Sequence, residues 1–116
     1  MDTDAEGVVY YANYLGFFER GRIELLEKMG VDLGAIKDKD NIIFAISKID
    51  CNYKAPAKLY ETIRVTTEIT EITAARIVFK QEVFREKQLL VSASVTACAI
   101  DMKNFRLARL PKSLLP

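Results

Sequence analysis

Asp2-Thr3-Asp4-Ala5-Glu6-Gly7-Val8-Val9-Tyr10-Tyr11-Ala12-Asn13-Tyr14 sets two aspartates and a glycine ahead of a patterned amphipathic segment. That order places a carboxylate beside the positive end of a helix, where the first backbone N–H groups have no intrahelical partner. A carboxylate and oriented N–H donors around one small space are parts of a hydrolytic site. On spacing alone, Asp2 and Asp4 also read as helix caps, the ordinary use of acidic residues in such a place. The chain contains no histidine, so any site here is built without one.

Outward from this stretch, one long helix is expected over residues 11–29. Tyr14, Phe18, Leu25 and Met29 recur at spacings of four and seven, with Phe17 and Gly21 on the same face. Glu19, Arg20, Glu27 and Lys28 fall on the other face, and Gly30 supplies a stop. Gly16 and Gly21 each cost ~1 kcal/mol against alanine in a helix interior. Either they allow close approach to a sheet or they are merely tolerated at the surface. Residues 31–41 read as a loop with a short helical turn.

Four strand-like segments follow. In residues 42–53, Ile43, Ala45, Ile49, Cys51 and Tyr53 form one alternating set, interrupted by Ser47. Pro56 then breaks the pattern, since it has no N–H for a ladder. Residues 59–70 set Ile63, Val65, Thr67 and Ile69 against Arg64, Thr66, Glu68 and Thr70. Residues 74–85 set Ile77, Phe79 and Val83 against Lys80 and Glu82. Residues 89–101 set Leu89, Val91, Ala93, Val95, Ala97 and Ala99 against Ser92, Ser94, Thr96 and Cys98. Period two with one polar set predicts antiparallel strands, joined by short turns at residues 71–73 and 86–88. The last strand is rich in small residues, which lets a helix lie close to it and agrees with Gly16 and Gly21. The tail from Arg106 onward reads as an irregular closing segment. The fold class expected is α+β, one domain over residues 1–116, with a long helix wrapped by a curved antiparallel sheet.

Composition narrows the function classes. Seventeen basic against sixteen acidic residues give a net charge of +1, whereas nucleic-acid proteins gather a basic excess on one face. No apolar run approaches the ~20 residues of a membrane span. The acidic N-terminus is unlike a secretory leader. A soluble, cytoplasmic protein is expected. Cys51 and Cys98 read as buried structural thiols. A disulfide between them stays open from sequence, though nothing suggests a secreted framework. Two distant cysteines without histidine do not form a common zinc site.

The chain resembles the hotdog-fold acyl-CoA thioesterases, specifically the 4-hydroxybenzoyl-CoA thioesterase family and its Tol-Pal-associated relatives. The matching residues are Asp2-Thr3-Asp4, the run from Gly7 to Tyr14, and Phe17-Phe18-Glu19-Arg20. Tyr53-Lys54-Ala55-Pro56 and Arg109-Leu110-Pro111-Lys112-Ser113 support them. The resemblance implies dimers with sheets joined edge to edge, often paired into tetramers, and an active site at the subunit interface. It makes Asp4 the catalytic carboxylate and the backbone N–H of Tyr11 the group that polarises the thioester carbonyl. Many Tol-Pal-associated members carry histidine at the position of Tyr11. Members also carry a strand ahead of the aspartates, and its loss would leave a sheet edge or a core face uncovered.

Thioester hydrolysis then assigns Asp4 as general base or nucleophile, Gly7 as the turn that aims N–H groups inward, and Tyr10 and Tyr11 as helix-start donors. Val9 and Tyr10 are candidate substrate contacts. Lys54 and Lys112 are candidates for the coenzyme A phosphates, with Lys58, Arg85 and Arg109 as further cations. Glu19 reads as part of a solvated helix face or as a group inside the fold. No metal or redox cofactor is expected, and coenzyme A is part of the substrate. The alternatives are a thioesterase acting on acyl carrier protein, or a non-catalytic acyl-binding scaffold of the same fold. A hydratase is disfavoured, since those sites generally rely on histidine.

Overall fold

Helix α1 spans Tyr11–Lys28, one residue short of the end its periodicity gave. The structure is a computed structural model. It describes residues 11–55, 62–112 and 114, with only the backbone of residues 11–13. Tyr14 and Phe18 are buried, and Glu19, Arg20, Glu27 and Lys28 are exposed, as expected. The end of the helix differs. Met29 is exposed and Leu26 is buried instead. The cause is the chain reversal at Gly30, whose φ is +81°. The Val31 N–H reaches the Leu26 carbonyl at 2.9 Å and the Gly30 N–H reaches that of Glu27 at 2.9 Å. This is the Schellman pattern, which folds the residue after the glycine back onto the last turn. Val31 and Leu26 are accordingly both in the core.

The expected loop after Val31 is in fact a second helix, α2, Leu33–Asp40. Asp32 caps it by accepting the Ala35 N–H at 3.1 Å. Asn41 closes it in the left-handed conformation. Only Ile36 of α2 is buried, so the helix has almost no apolar period for a sequence reading to find.

The strands are β1 (Ile42–Tyr53), β2 (Arg64–Ile72), β3 (Arg76–Arg85), β4 (Gln88–Asp101) and β5 (Arg106–Leu107). They form one antiparallel sheet in the order β1-β4-β3-β2, with β5 pairing with the end of β4. With two helices on this sheet, the fold is the expected α+β hotdog arrangement. The tail is therefore not wholly irregular. Beyond β5, the Leu110 N–H bonds to the Ala74 carbonyl at 2.7 Å, and Leu110 is buried.

Two bulges correct the expected core set. In β1, Ile46 pairs with Ala97 but Lys48 pairs with Thr96. The extra residue at Ser47 moves the strand to its other face, as any one-residue insertion must. Phe44 and Ile46 thus lie opposite buried Ala99 and Ala97, in place of Ala45 and Ile43. Ile49, Cys51 and Tyr53 keep their expected side, opposite Val95, Ala93 and Val91. In β4, Val91 pairs with Val83 and Leu89 with Phe84, so Leu90 is the additional residue. Leu90 is fully buried, while Leu89 is only half-buried. β2 begins at Arg64, later than expected, and residues 56–61 lie outside the described set. It also runs on to Ile72, which moves the first turn to residues 73–75. Cys98 is buried and Cys51 half-buried, both as free thiols.

The helix–sheet contact is close at one glycine only. A Cβ on Gly21 would lie 2.6 Å from Thr67 Oγ1 and 3.1 Å from Gln81 Nε2, whereas one on Gly16 would meet nothing within 4 Å. The close partners are thus on β2 and β3, not on the small-residue strand β4. With α1 drawn to that side, Ile46, Ile49 and Tyr53 of β1 remain 42, 37 and 44% exposed.

Candidate active site

The start of α1 is the element on which the expected site depends. Tyr11 is its first residue, and the leading N–H groups of a helix have no partner within it. Asp4, Gly7, Val9 and Tyr10 lie outside the described residues, as does the side chain of Tyr11. The first turns carry aromatic contacts. The Tyr14 ring lies 6.0 Å from that of Phe17 in an edge-on contact and 5.9 Å from that of Tyr53 at the end of β1.

This contact also sets the direction of the helix. Tyr14 meets the last residue of β1, while Ile23 and Leu26 share a cavity with Phe44 and Ile46 near its beginning. α1 therefore runs opposite to β1. The cavity has a volume of about 150 Å³ and is apolar through Phe44, Ile77, Phe79 and Ala97, with Glu19 and Arg22 also on its wall. Glu19 is thus exposed and faces this space. The cavity lies beside the later turns of α1, away from its start.

The two lysines expected to bind phosphate are not brought together. The Lys54 backbone N–H bonds to the Leu90 carbonyl at 2.7 Å, which places it at the end of the sheet where α1 begins. Lys112 follows Leu110, which is tied to Ala74 at the opposite end. From Val91, opposite Tyr53, to Cys98, opposite Arg76, β4 advances seven residues. At 3.4 Å per residue that is roughly 24 Å. Both lysines are exposed. Lys58 lies outside the described residues, Arg109 is exposed, and Arg85 bonds to Gln88.

The sequence reading missed a buried polar cluster under the helix. Gln81 is wholly inaccessible on the core side of β3, between Phe79 and Val83. Its Nε2 donates to the Phe18 carbonyl at 2.8 Å and to Thr67 Oγ1 at 2.9 Å. Its Oε1 accepts from Arg22 Nη1 at 2.9 Å. Burial lowers the pKa of Arg22 from its ordinary value, and the charge of Glu19 works against that shift. The signal was available: Gln81 is the polar member of an otherwise apolar alternating set.

Comparison with known proteins gives this arrangement a family. The chain is 34% identical over 113 residues to the acyl-CoA thioesterase YbgC of Haemophilus influenzae, covering 97% of this chain and 83% of that one. It is 36% identical over 115 residues to the acyl-CoA thioester hydrolase YbgC of Escherichia coli, covering 98 and 85%. Among solved structures, a probable thioesterase from Bartonella henselae superimposes with a TM-score of 0.87 at 32% identity, over 95% of this chain and 90% of that one. The DHNA-CoA thioesterase of Staphylococcus aureus does so with 0.85 at 32%, over 94 and 73%. The family description that matches residues 1–116 agrees with these likenesses: the chain belongs to the thioesterase-like superfamily.

Proposed function

We infer that this protein is an acyl-CoA thioesterase, which hydrolyses an acyl-coenzyme A thioester to the free acid and coenzyme A. The observation that carries the reading is the start of α1 at Tyr11, seven residues after Asp4, in a chain of this superfamily. Asp4 either draws a proton from water as it attacks, or attacks the carbonyl itself to give a mixed anhydride that water then cleaves. Either route puts negative charge on the carbonyl oxygen. The Tyr11 N–H heads an 18-residue helix, and the helix dipole favours an anion there. One such donor is worth ~3 kcal/mol to the transition state. When the carbonyl re-forms, the carbon–sulfur bond breaks and the thiolate leaves as coenzyme A. Gly7 supplies the turn between base and donor, Val9 and Tyr10 border the reacting group, and Lys54 meets a phosphate at the helix-start end. This chemistry calls for no metal or redox cofactor.

The working unit in this reading is a homodimer, and tetramers are pairs of it. Among the described residues β1 is an edge strand, with Ile46, Ile49 and Tyr53 exposed. Edge strands are covered or paired in most proteins. Two β1 strands pairing antiparallel about their middle would bring the start of one α1 across from the Phe44–Ile46 cavity of the other chain. The active site then lies between subunits, and Lys112 serves a coenzyme A bound to the partner's helix start. No described helix is long and apolar enough to cross a membrane, and a cytoplasmic enzyme is the setting we propose.

A second reading shares the chemistry but takes the acyl group from acyl carrier protein. It is favoured by the charge of the last fifteen residues, where Lys103, Arg106, Arg109 and Lys112 stand without an acidic residue. An acidic carrier would meet them well.

Release of free thiol from aromatic, short and long acyl-CoA substrates tests the reading, with wild type and Asp4→Asn side by side. Asparagine caps a helix as well as aspartate does, so the variant is expected to fold. Its turnover should fall about 100-fold to 10,000-fold, the range for losing a general base. Near-wild-type turnover by folded Asp4→Asn refutes the assignment. Acyl carrier protein substrates hydrolysed faster than their coenzyme A counterparts would favour the second reading.

A further inference from the structure

We propose that Gln81 is a positioning residue, which fixes the axial setting of α1 and through it the N–H donors at the helix start. The proposal rests on the helix-start site described above.

Gln81 is 0% exposed, at a place where the alternation of Ile77, Phe79 and Val83 calls for an apolar side chain. A buried amide is costly unless its groups are bonded, and here all three bonds point at defined partners. The two hydrogens of Nε2 go to the Phe18 carbonyl and to Thr67 Oγ1, and Oε1 takes the Arg22 guanidinium. The orientation has no alternative. A flipped amide would set its oxygen against the Phe18 carbonyl, which can only accept, and its nitrogen against Arg22, which can only donate.

The Phe18 carbonyl does not need this bond. Within α1 it already accepts the N–H of Arg22, four residues on. The Gln81 amide is a second donor to it, and its effect is directional. Apolar packing alone lets a helix slide or roll at small cost, because the attraction is non-directional. Gly21 makes that freedom greater, since no side chain interlocks where α1 comes closest to β2 and β3. The same glycine is what lets the amide through: a Cβ there would stand 3.1 Å from Nε2. On its other side α1 borders the cavity, with Ile23 exposed. The fork on Gln81 thus supplies a directed contact that sets where the helix stops.

Phe18 lies seven residues beyond Tyr11 in one continuous helix, which is about 10.5 Å at 1.5 Å per residue. Two turns of intact helix carry an axial shift undiminished to the helix start. A displacement of ~1 Å at a reacting centre can cost about 100-fold in rate.

The test is Gln81→Met, which keeps length and burial but removes the fork, with Thr67→Val as the milder second variant. We expect folded Gln81→Met to lose about 10-fold to 100-fold in kcat, by the same misplacement argument. KM and inhibition by free coenzyme A should stay near wild type. The loss in kcat should be equal across aromatic, short and long acyl groups, because carbonyl activation rather than acyl fit is affected. Thr67→Val should show a smaller loss of the same kind. Unchanged kcat in folded Gln81→Met overturns the proposal, as does a loss that falls on KM or varies with the acyl group. If Gln81→Met does not fold, unchanged kcat in Thr67→Val overturns it instead. Failure of the helix-start reading looks different: Asp4→Asn stays active whatever the Gln81 variants do.

Discussion

The two flanks of α1 are built on different terms. Toward β2 and β3 the helix is drawn in at Gly21, and a buried amide, a threonine hydroxyl and a guanidinium close the contact with directed bonds. Toward β1 it leaves a cavity of about 150 Å³, and Ile23, Ile46 and Ile49 remain exposed. One flank is closed within the chain and the other is left open. Directional bonds fix position where nothing further is to be added. Open apolar surface beside a sheet edge is where the proposed second copy would sit.

The harshest way to break this comparison is Ile49→Asp on the open flank. A charge at the centre of the β1 edge should prevent pairing of two chains, seen in sedimentation as monomer at micromolar concentration. Hydrolysis should fall by at least about 100-fold, because a site between subunits loses half of its geometry. Monomer with full activity would show the open flank to be mere surface.

On the closed flank the damage should appear as stability. Gly21→Leu overpacks the contact with Thr67 and Gln81, which costs ~1–3 kcal/mol in denaturant titration. Gly16→Ala is its control. With nothing within 4 Å of its Cβ, it should leave stability unchanged or raise it by up to ~1 kcal/mol, the helix preference of alanine. A Gly21→Leu protein as stable as wild type would remove the distinction between the flanks.

The smallest effect is expected where both flanks end, at Tyr11. Tyr11→Phe keeps the backbone donor and should hold activity within about 3-fold, far less than the ~3 kcal/mol a lost donor costs. Tyr11→Pro deletes the N–H and should be inactive. A folded Tyr11→Phe as inactive as Asp4→Asn would move the role from backbone to phenol.

Residues whose neighbours in sequence are also their neighbours in the element were legible beforehand. Tyr14 and Phe18 fixed α1 by spacing, and Val91, Ala93 and Val95 fixed the inner side of β4. Features that depend on a partner strand were not. The alternation in residues 42–53 fits Ile43 and Ala45 as well as Phe44 and Ile46 until pairing with Ala97 and Thr96 reveals the additional residue. Leu90 displaced Leu89 for the same reason. α2 hid because one buried side chain, Ile36, makes no period. Of the site, the helix start could be located from Gly7 and the pattern after it. Gln81 could be noticed as the polar member of an apolar set, but its role could not be read, since it depends on a carbonyl 63 residues earlier in the chain.

The bulge at Ser47 gives β1 something like a reading frame. Upstream, even-numbered residues Phe44 and Ile46 face the core; downstream, odd-numbered Ile49, Cys51 and Tyr53 do. Substituting Ser47 touches an exposed hydroxyl that reaches the Thr96 carbonyl at 3.4 Å, and most side chains would be tolerated there. Deleting its codon is another matter. It closes the bulge and leaves Ile46 opposite Ala97, Lys48 opposite Thr96 and Ile49 opposite Val95, whereas an insertion after Ile49 would send Asp50 and Asn52 inward and carry Tyr53 away from Tyr14. The length change this strand can absorb is thus the loss of its bulge, and an insertion after Ile49 is the one its two faces exclude.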